Sequence, residues 1–280
     1  MAEEELAHRI TPTELALSFD SVAAQYATAR PGYPSALFDL VEELADAPFA
    51  GATVVDVGAG TGIATRLLRD RGAQVIAVEP GPAMGARLRA QLPGVPLLRA
   101  SGDVLPLADA SADFVTYAQA FHWTDPSLSV PEALRVLRPG GTLALWWNVP
   151  DPDVPWAAAQ EARLKARLPG YHAHGTTGDA DRIIDRQVPG LGPVHRRLHW
   201  TRRVPLDLHL AHLGSRSYFA TLGPERAAPV LADERTALLA HFPDGTVEEA
   251  YAVDLTVVRS PRPPRPPRPQ DPGTSEPRNP

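Results

Sequence analysis

"VVDVGAGTGIATRLL", residues 54–68, joins an apolar β-rich run to a helical pattern through three glycines, Gly58, Gly60 and Gly62. Glycine at such a junction lets the chain turn sharply and leaves bare backbone N–H groups near a ligand at the helix start. A dinucleotide-binding turn is the first candidate. It requires a third glycine three positions after the second, and Ile63 stands there, so the spacing is GxGxG and not GxGxxG. Asp56, two residues before the first glycine, would set an anion beside a pyrophosphate.

A cationic ligand suits the same loop better. S-adenosylmethionine carries a sulfonium and an ammonium, so an acidic strand end next to a glycine turn attracts it. Seventeen residues beyond Gly62, the run "QVIAVE" ends on Glu79, placed to accept from both hydroxyls of a ribose. Hydrogen bonds to a charged group contribute roughly 1.5–3 kcal/mol each. Asp103 in "ASGDVLPL" then follows the third strand, near where an adenine amino group would lie. The three acids follow three successive strands, and in an open α/β sheet ligands lie at the carboxyl edge.

The surrounding sequence fits that sheet. "TVVDVG", "QVIAVE", "VPLLRA", "DFVTYA" and "TLALWWN" read as strands, with helical segments such as "GIATRLLRDRG" and "SVPEALRVLRPGG" between them. This alternation predicts βαβ units and a parallel sheet covered on both faces. Gly72 and Pro139-Gly140-Gly141 stop the helices before them. Residues 11–47 read as helical, interrupted by "ARPGYPS", and residues 156–168 as a further helix. "PVHRRLHWTRRV" and "VEEAYAVDLTVVRS" read as late strands, with "LDLHLAHLGSRSYFATL" and "RAAPVLADERTALLAHF" as helices between them.

Composition narrows the function classes. A net charge of -6 argues against a nucleic-acid partner, which needs a concentrated excess of Lys and Arg. The absence of Cys excludes disulfides, zinc-thiolate sites and cysteine nucleophiles. The start "MAEEELAHRI" is acidic where a secretory signal is basic, and no apolar run reaches the length of a membrane span, so a cytoplasmic location and no membrane partner are expected. Lys165 is the only lysine among 27 basic residues, which suggests GC-rich coding DNA and a bacterial source. Of nine histidines, His172 with His174 and His209 with His212 are spaced as pairs, but neither completes a ligand set, and no metal is expected.

The motifs "DVGAGTG", "VEPGPAM", "SGDVLPLADASADFV", "AQAFHW" and "EALRVLRPGGTLALWW" together resemble a class I S-adenosylmethionine-dependent methyltransferase of the type 11 group. "YATARPGYP" with "AQAFHW" resembles the branch that includes trans-aconitate-type methyltransferases, and "HLGSRSYFATL" that branch's late cap segment. The match covers about residues 19–148. It implies a Rossmann-like, doubly wound α/β fold: a mostly parallel seven-stranded sheet with an antiparallel last strand, a helical N-terminal lid and a helical cap insertion. The expected divisions are a lid at 1–50, a cofactor-binding core at 51–150, a cap with late strands at 151–259 and a disordered Pro-rich tail at 260–280.

The resemblance also implies site roles. Asp56, Gly58, Ala59, Gly60 and Gly62 match the loop that holds the methionine portion of S-adenosylmethionine, and Glu79 with Pro80 matches the ribose position. Asp103 and Val104 fall at the adenine position, where the family usually has Glu, and Leu105 would flank the base. Gln119 approaches the methionine end. Tyr26 and Arg30 are expected on a lid over the cofactor; Tyr33, His122, Trp123, Trp147, His172 and Tyr218 are expected around the acceptor. The implied activity is methyl transfer to a small organic molecule, at a carboxylate or hydroxyl oxygen, by a monomer or homodimer. A fold that binds the cofactor without transferring its methyl group is the alternative. For His122 two roles stand: a base that takes a proton from a hydroxyl acceptor, or a brace that holds its loop while Trp123 packs the crevice wall.

Overall fold

Burial along the strand that opens the glycine turn sets the architecture. In the computed structural model, which describes residues 30–168, 171 and 179–261, β1 (Thr53–Val57) is buried at four successive positions. A strand without polar alternation has both faces covered, as parallel strands do. β2 (Gln74–Val78), β3 (Leu97–Leu98), β4 (Ala112–Ala118), β5 (Leu137–Pro150), β6 (Val194–Pro205) and β7 (Thr246–Arg259) complete a seven-stranded sheet of order β3-β2-β1-β4-β5-β7-β6. β1 pairs in parallel with β2 and β4, β2 with β3, and β4 with β5. β7 is antiparallel to both β5 and β6, so the last strand alone runs backwards, as the resemblance implied.

Alternate residues of each strand feed two cores. Val55, Val57, Val115, Tyr117 and Trp147 lie on one face. Val54, Phe114, Trp146, Leu255 and Val257 lie on the other, against α1 (Ser35–Ala45), which buries Leu37, Phe38, Val41 and Ala45. Each fully buried Phe or Leu contributes about 1.5–3 kcal/mol. α2 (Ile63–Asp70), α3 (Pro82–Gln91) and α4 (Pro126–Val136) are the crossovers of the first half. α5 (Pro155–Arg167) and α6 (Ala180–Gln187) lie between β5 and β6; α7 (Leu206–Gly214), α8 (Ser217–Leu222) and α9 (Pro224–His241) lie between β6 and β7.

Three elements differ from the sequence reading. "LDLHLAHLGSRSYFATL" forms two helices, because Arg216 turns extended (φ -66°, ψ 147°) and sends its buried guanidinium to Glu161 Oε1 (2.7 Å) and the Tyr171 hydroxyl (2.6 Å). The polar run "ADRIIDRQ" forms α6 although only Ala180 and Ile184 are buried, one turn apart. Ser260, read as the first residue of the tail, exchanges backbone hydrogen bonds with Gly140 and Gly141 and closes the start of β5. Residues 1–29 and 262–280 lie outside the described residues, and with them Tyr26 and most of the expected lid and tail. His172 and His174 lie outside them as well.

Asp56 is placed inside the sheet. Its side chain is wholly buried, with Oδ2 accepting from the Thr65 hydroxyl of α2 (2.6 Å) and Oδ1 from the Thr116 hydroxyl of β4 (3.1 Å). Burial pushes its pKa up to about 6, against the opposing pull of the two hydroxyls. The sequence reading set this carboxylate beside the ligand; the structure uses it to tie β1, β4 and α2 beneath the turn.

Well below pH 3.8 the unfolded and folded chains both carry the Asp56 proton; on raising the pH the unfolded chain releases it first, so this group's contribution to stability falls from there until the pH has risen through about 6. Asp56→Asn, which does not titrate, is expected to gain on the wild type by about 2 kcal/mol between pH 4 and pH 7 in paired urea unfolding curves. A pH-independent difference between the two would contradict the assignment. A Cβ at Gly58 would lie 2.4 Å from the Ala120 Cβ on a backbone at φ +68°, whereas one at Gly60 (φ +58°) meets only a carbonyl oxygen at 4.0 Å. Gly58→Ala is therefore expected to destabilise by roughly 2–5 kcal/mol and Gly60→Ala by roughly 1–2 kcal/mol in the same assay.

Candidate functional site

The carboxyl ends of β1 to β5 open on one edge, and the loops leaving them are fastened to one another. Gly58 and Ala59 donate to the Val78 carbonyl (2.8 and 3.0 Å), strapping the glycine turn to the end of β2. Gly62 then enters α2 at φ 91°. Because Gly58 lacks a side chain, the chain leaving β4 rests directly on the turn at Ala120. To arrive there it passes through Gln119 at φ 55°, an uncommon backbone for a residue with a side chain, whose N–H donates to the Trp146 carbonyl (2.8 Å). Such strain persists where the surroundings enforce it and concentrates at functional sites.

Glu79 bridges the first two loops. Its Oε2 accepts from Gly60 N–H (2.8 Å) and its Oε1 from Gly81 N–H (2.7 Å), and the residue is nearly buried. Each carboxylate oxygen offers two acceptor sites, so a carboxylate can take backbone N–H and hydroxyl donors together. Pro80, between them, accepts from the Arg99 guanidinium through its carbonyl (3.0 Å).

Asp103 links the third loop to the fourth: its Oδ1 accepts from the Asp125 N–H (2.8 Å). Partial burial raises its pKa, opposed by that hydrogen bond and reinforced by the charge of Asp125. Val104 beside it is 68% exposed, while Leu105 is 2% exposed within the core. The sequence reading had Leu105 flanking the base; the apolar surface actually open at this edge is Val104. Arg135 pins the loop beneath, donating to the carbonyls of Leu105 and Leu107 and pairing with Glu132 and Asp109.

His122 sits in a 3-10 turn, Phe121–Trp123, after β4. Phe121 anchors the turn in the core against Tyr117 (5.5 Å between ring centres), and the Thr124 hydroxyl donates back to its carbonyl (2.8 Å). The Trp147 indole N–H donates to His122 Nδ1 (3.0 Å), and Trp123 packs on the imidazole at 4.3 Å. Burial, with the nearby charge of Arg30, pushes the His122 pKa down to about 4, so the ring is neutral at physiological pH. Of the expected acceptor-side residues, His122, Trp123 and Trp147 are thus brought together.

Others are placed elsewhere. Tyr33 packs edge-on against Trp146, on the opposite face of β5 from Trp147. Tyr218 belongs to an aromatic group with Tyr171 and Phe219 among the helices after β5. The segment "RPGYP" is fastened to the sheet through the Gly32 carbonyl, which accepts from Asn148 Nδ2 (3.0 Å); Asn148 Oδ1 accepts in turn from the Trp200 indole (2.9 Å).

Sequence reasoning missed a buried polar network above the same edge. Glu249 accepts from His209 Nδ1 (2.7 Å) and Arg202 Nε, and the Tyr251 hydroxyl lies 3.2 Å from His212 Nδ1. The one-turn spacing of His209 and His212, weighed as a metal pair, was the available signal; the structure spends both on these partners. Burial first, and then the charges of Arg216 and Arg30, push His212 down to about 3. Arg30 therefore raises the potential at both His122 and His212. Among the described residues, ligand atoms of Asp151, Asp153 and His199 lie within 4.8 Å of one another, but Asp151 already accepts from His199 Nδ1 (2.6 Å) and Asp153 N–H (3.0 Å). No described helix is long and apolar enough to cross a membrane.

Residues 55–145 match the family model described as "Methyltransferase domain". An uncharacterized methyltransferase of Mycobacterium tuberculosis is 36% identical over 233 residues, which are 82% of this chain and 88% of that protein. An uncharacterized methyltransferase-like protein of Schizosaccharomyces pombe is 38% identical over 142 residues, 50% of this chain and 54% of that protein. A solved chain from Anaeromyxobacter dehalogenans, bearing the name of a type II methyltransferase, shares the fold at a TM-score of 0.66 and 26% identity, over 83% of this chain and 99% of that one. With the strand order, the glycine turn and the matched domain in agreement, this chain belongs to the class I S-adenosylmethionine-dependent methyltransferases.

Proposed function

We propose that the carboxyl edge holds S-adenosylmethionine across the loops after β1 to β4, and that the enzyme methylates an oxygen, carboxylate or hydroxyl, of a small organic acceptor. The observation that carries the cofactor reading is the Glu79 carboxylate at the end of β2, which accepts from the backbone N–H groups of Gly60 and Gly81 and so stands between the glycine turn and the next loop, where a ribose diol would donate to it. The chain fits the ligand on three further counts. Gly58 keeps the turn free of a side chain, Asp103 with exposed Val104 offers an acceptor and an apolar surface to a purine, and Gln119 stands on a strained backbone next to Ala120, which rests on the turn.

When bound, the cofactor supplies a methyl group already activated by the sulfonium charge. What the protein adds is alignment and exclusion of water, a contribution of roughly 7–11 kcal/mol when geometry is well held. Arg30, His122, Trp123 and Trp147 are the residues we assign to the acceptor side, with the helices after β5 as its cap. The small-molecule class is supported by the acidic net charge, and the trans-aconitate-type branch by "YATARPGYP" with "AQAFHW".

Glu79→Ala removes two hydrogen bonds to the ribose and is expected to weaken S-adenosylmethionine binding by roughly 100- to 10,000-fold in calorimetry. Gly60→Val, which forces a branched side chain onto φ +58°, is expected to weaken it as well. Unchanged affinity in both variants would contradict the reading. Formation of S-adenosylhomocysteine by the wild type with panels of small carboxylic and hydroxy acids, followed by mass spectrometry, identifies the acceptor class.

A further inference from the structure

The hydrogen bond between Trp147 and His122 decides what the imidazole can do. An indole N–H donates and cannot accept, so the His122 Nδ1 that faces it at 3.0 Å must present a lone pair. A neutral imidazole with a lone pair on Nδ1 carries its proton on Nε2. The Nδ1–H tautomer and the imidazolium would each oppose two N–H groups at this contact. Trp147 is 2% exposed and cannot turn its N–H to water instead. The half-buried His122 ring thus has one nitrogen consumed, and among the described residues no group accepts from the other.

We propose that Trp147 is a positioning residue that fixes His122 as an Nε2–H donor toward the methyl acceptor, and that the acceptor oxygen arrives as a carboxylate needing no base. The proposal rests on the functional reading above and narrows its acceptor. In the tautomer that Trp147 selects, the ring lone pair is occupied, so His122 has none to offer a hydroxyl proton. It offers a hydrogen bond instead. A carboxylate accepts it. In the transfer, an oxygen lone pair of the carboxylate forms the new O–C bond as the C–S pair returns to sulfur; the carboxylate and sulfonium charges cancel, and no proton moves. The low His122 pKa, caused first by burial and then by Arg30, agrees with a ring that stays neutral.

The test uses the full chain with 15N-labelled histidine. Long-range 1H–15N spectra, assigned with His122→Gln, are expected to show His122 as the neutral Nε2–H form throughout pH 5–8, and Trp147→Phe is expected to mix the tautomers. An Nδ1–H form, or titration of His122 within that range in the wild type, overturns the proposal whether or not an acceptor has been found. For activity, Gln at 122 can accept from Trp147 through Oε1 and donate through Nε2, but cannot act as a base. His122→Gln is therefore expected to retain kcat/KM for a small carboxylic acid within about fivefold, with an unchanged pH profile, while His122→Phe loses at least about a hundredfold. Equal loss in both variants, with S-adenosylmethionine binding intact, or a wild type that methylates only hydroxyl acceptors, overturns it. A wild type that methylates neither class defeats the broader functional reading, and the spectra then judge the role of Trp147 separately.

Discussion

The missing side chain at Gly58 is the constraint on which the rest of the edge depends. Only because no Cβ stands there can Ala120 come down onto the glycine turn, and that contact fixes where the chain goes after β4. Gln119 takes a left-handed backbone to reach it, and the 3-10 turn bearing His122 follows at once. Two carboxylates extend the same logic. Glu79 draws the turn after β1 to the turn after β2, and Asp103 draws the loop after β3 to Asp125 at the head of α4. The crevice is thus a set of loops, each held by a neighbour and not by its own strand alone.

Buried charge is distributed around this edge in two ways. Asp56 pays for its burial with a raised pKa, because the two hydroxyls it meets are neutral. Glu249 is buried too, yet its carboxyl is held well below the usual range despite desolvation, since His209 and His212 surround it. Removing one partner from such a group leaves an uncompensated polar atom, which costs more than the intact contact contributes. The network around Glu249 therefore specifies how α7 seats on β6 and β7, through His209 on the helix and Arg202 on the strand. Arg30 joins the two regions electrostatically, acting on His122 on one side and His212 on the other.

The sheet was legible in the sequence because its strands are apolar runs with no alternation and its glycines stand at strand ends. Glu79 was legible for the same reason: it is the first charged residue after a buried strand. What the sequence could not show were relations across space. Nothing in "TLALWWN" says that Trp147 and Trp146 face different cores, or that the indole of the former meets a histidine 25 residues earlier. The resemblance placed both Val104 and Leu105 at the base, and nothing in the sequence shows that packing beneath Arg135 buries Leu105 while Val104 stays exposed. α6 escaped notice because a helix that buries one residue per turn leaves little periodic signal. Arg216 looked like one arginine among many until its burial against Glu161 and Tyr171 was seen.

A crystal structure of the full chain with S-adenosylhomocysteine tests the central claim most directly. The account predicts both ribose hydroxyls within roughly 2.5–3.0 Å of the Glu79 carboxylate, the adenine against Val104, and the thioether sulfur on the side of Gly58 and Gln119. A nucleoside bound away from Glu79, or a ribose held by other groups, would contradict it.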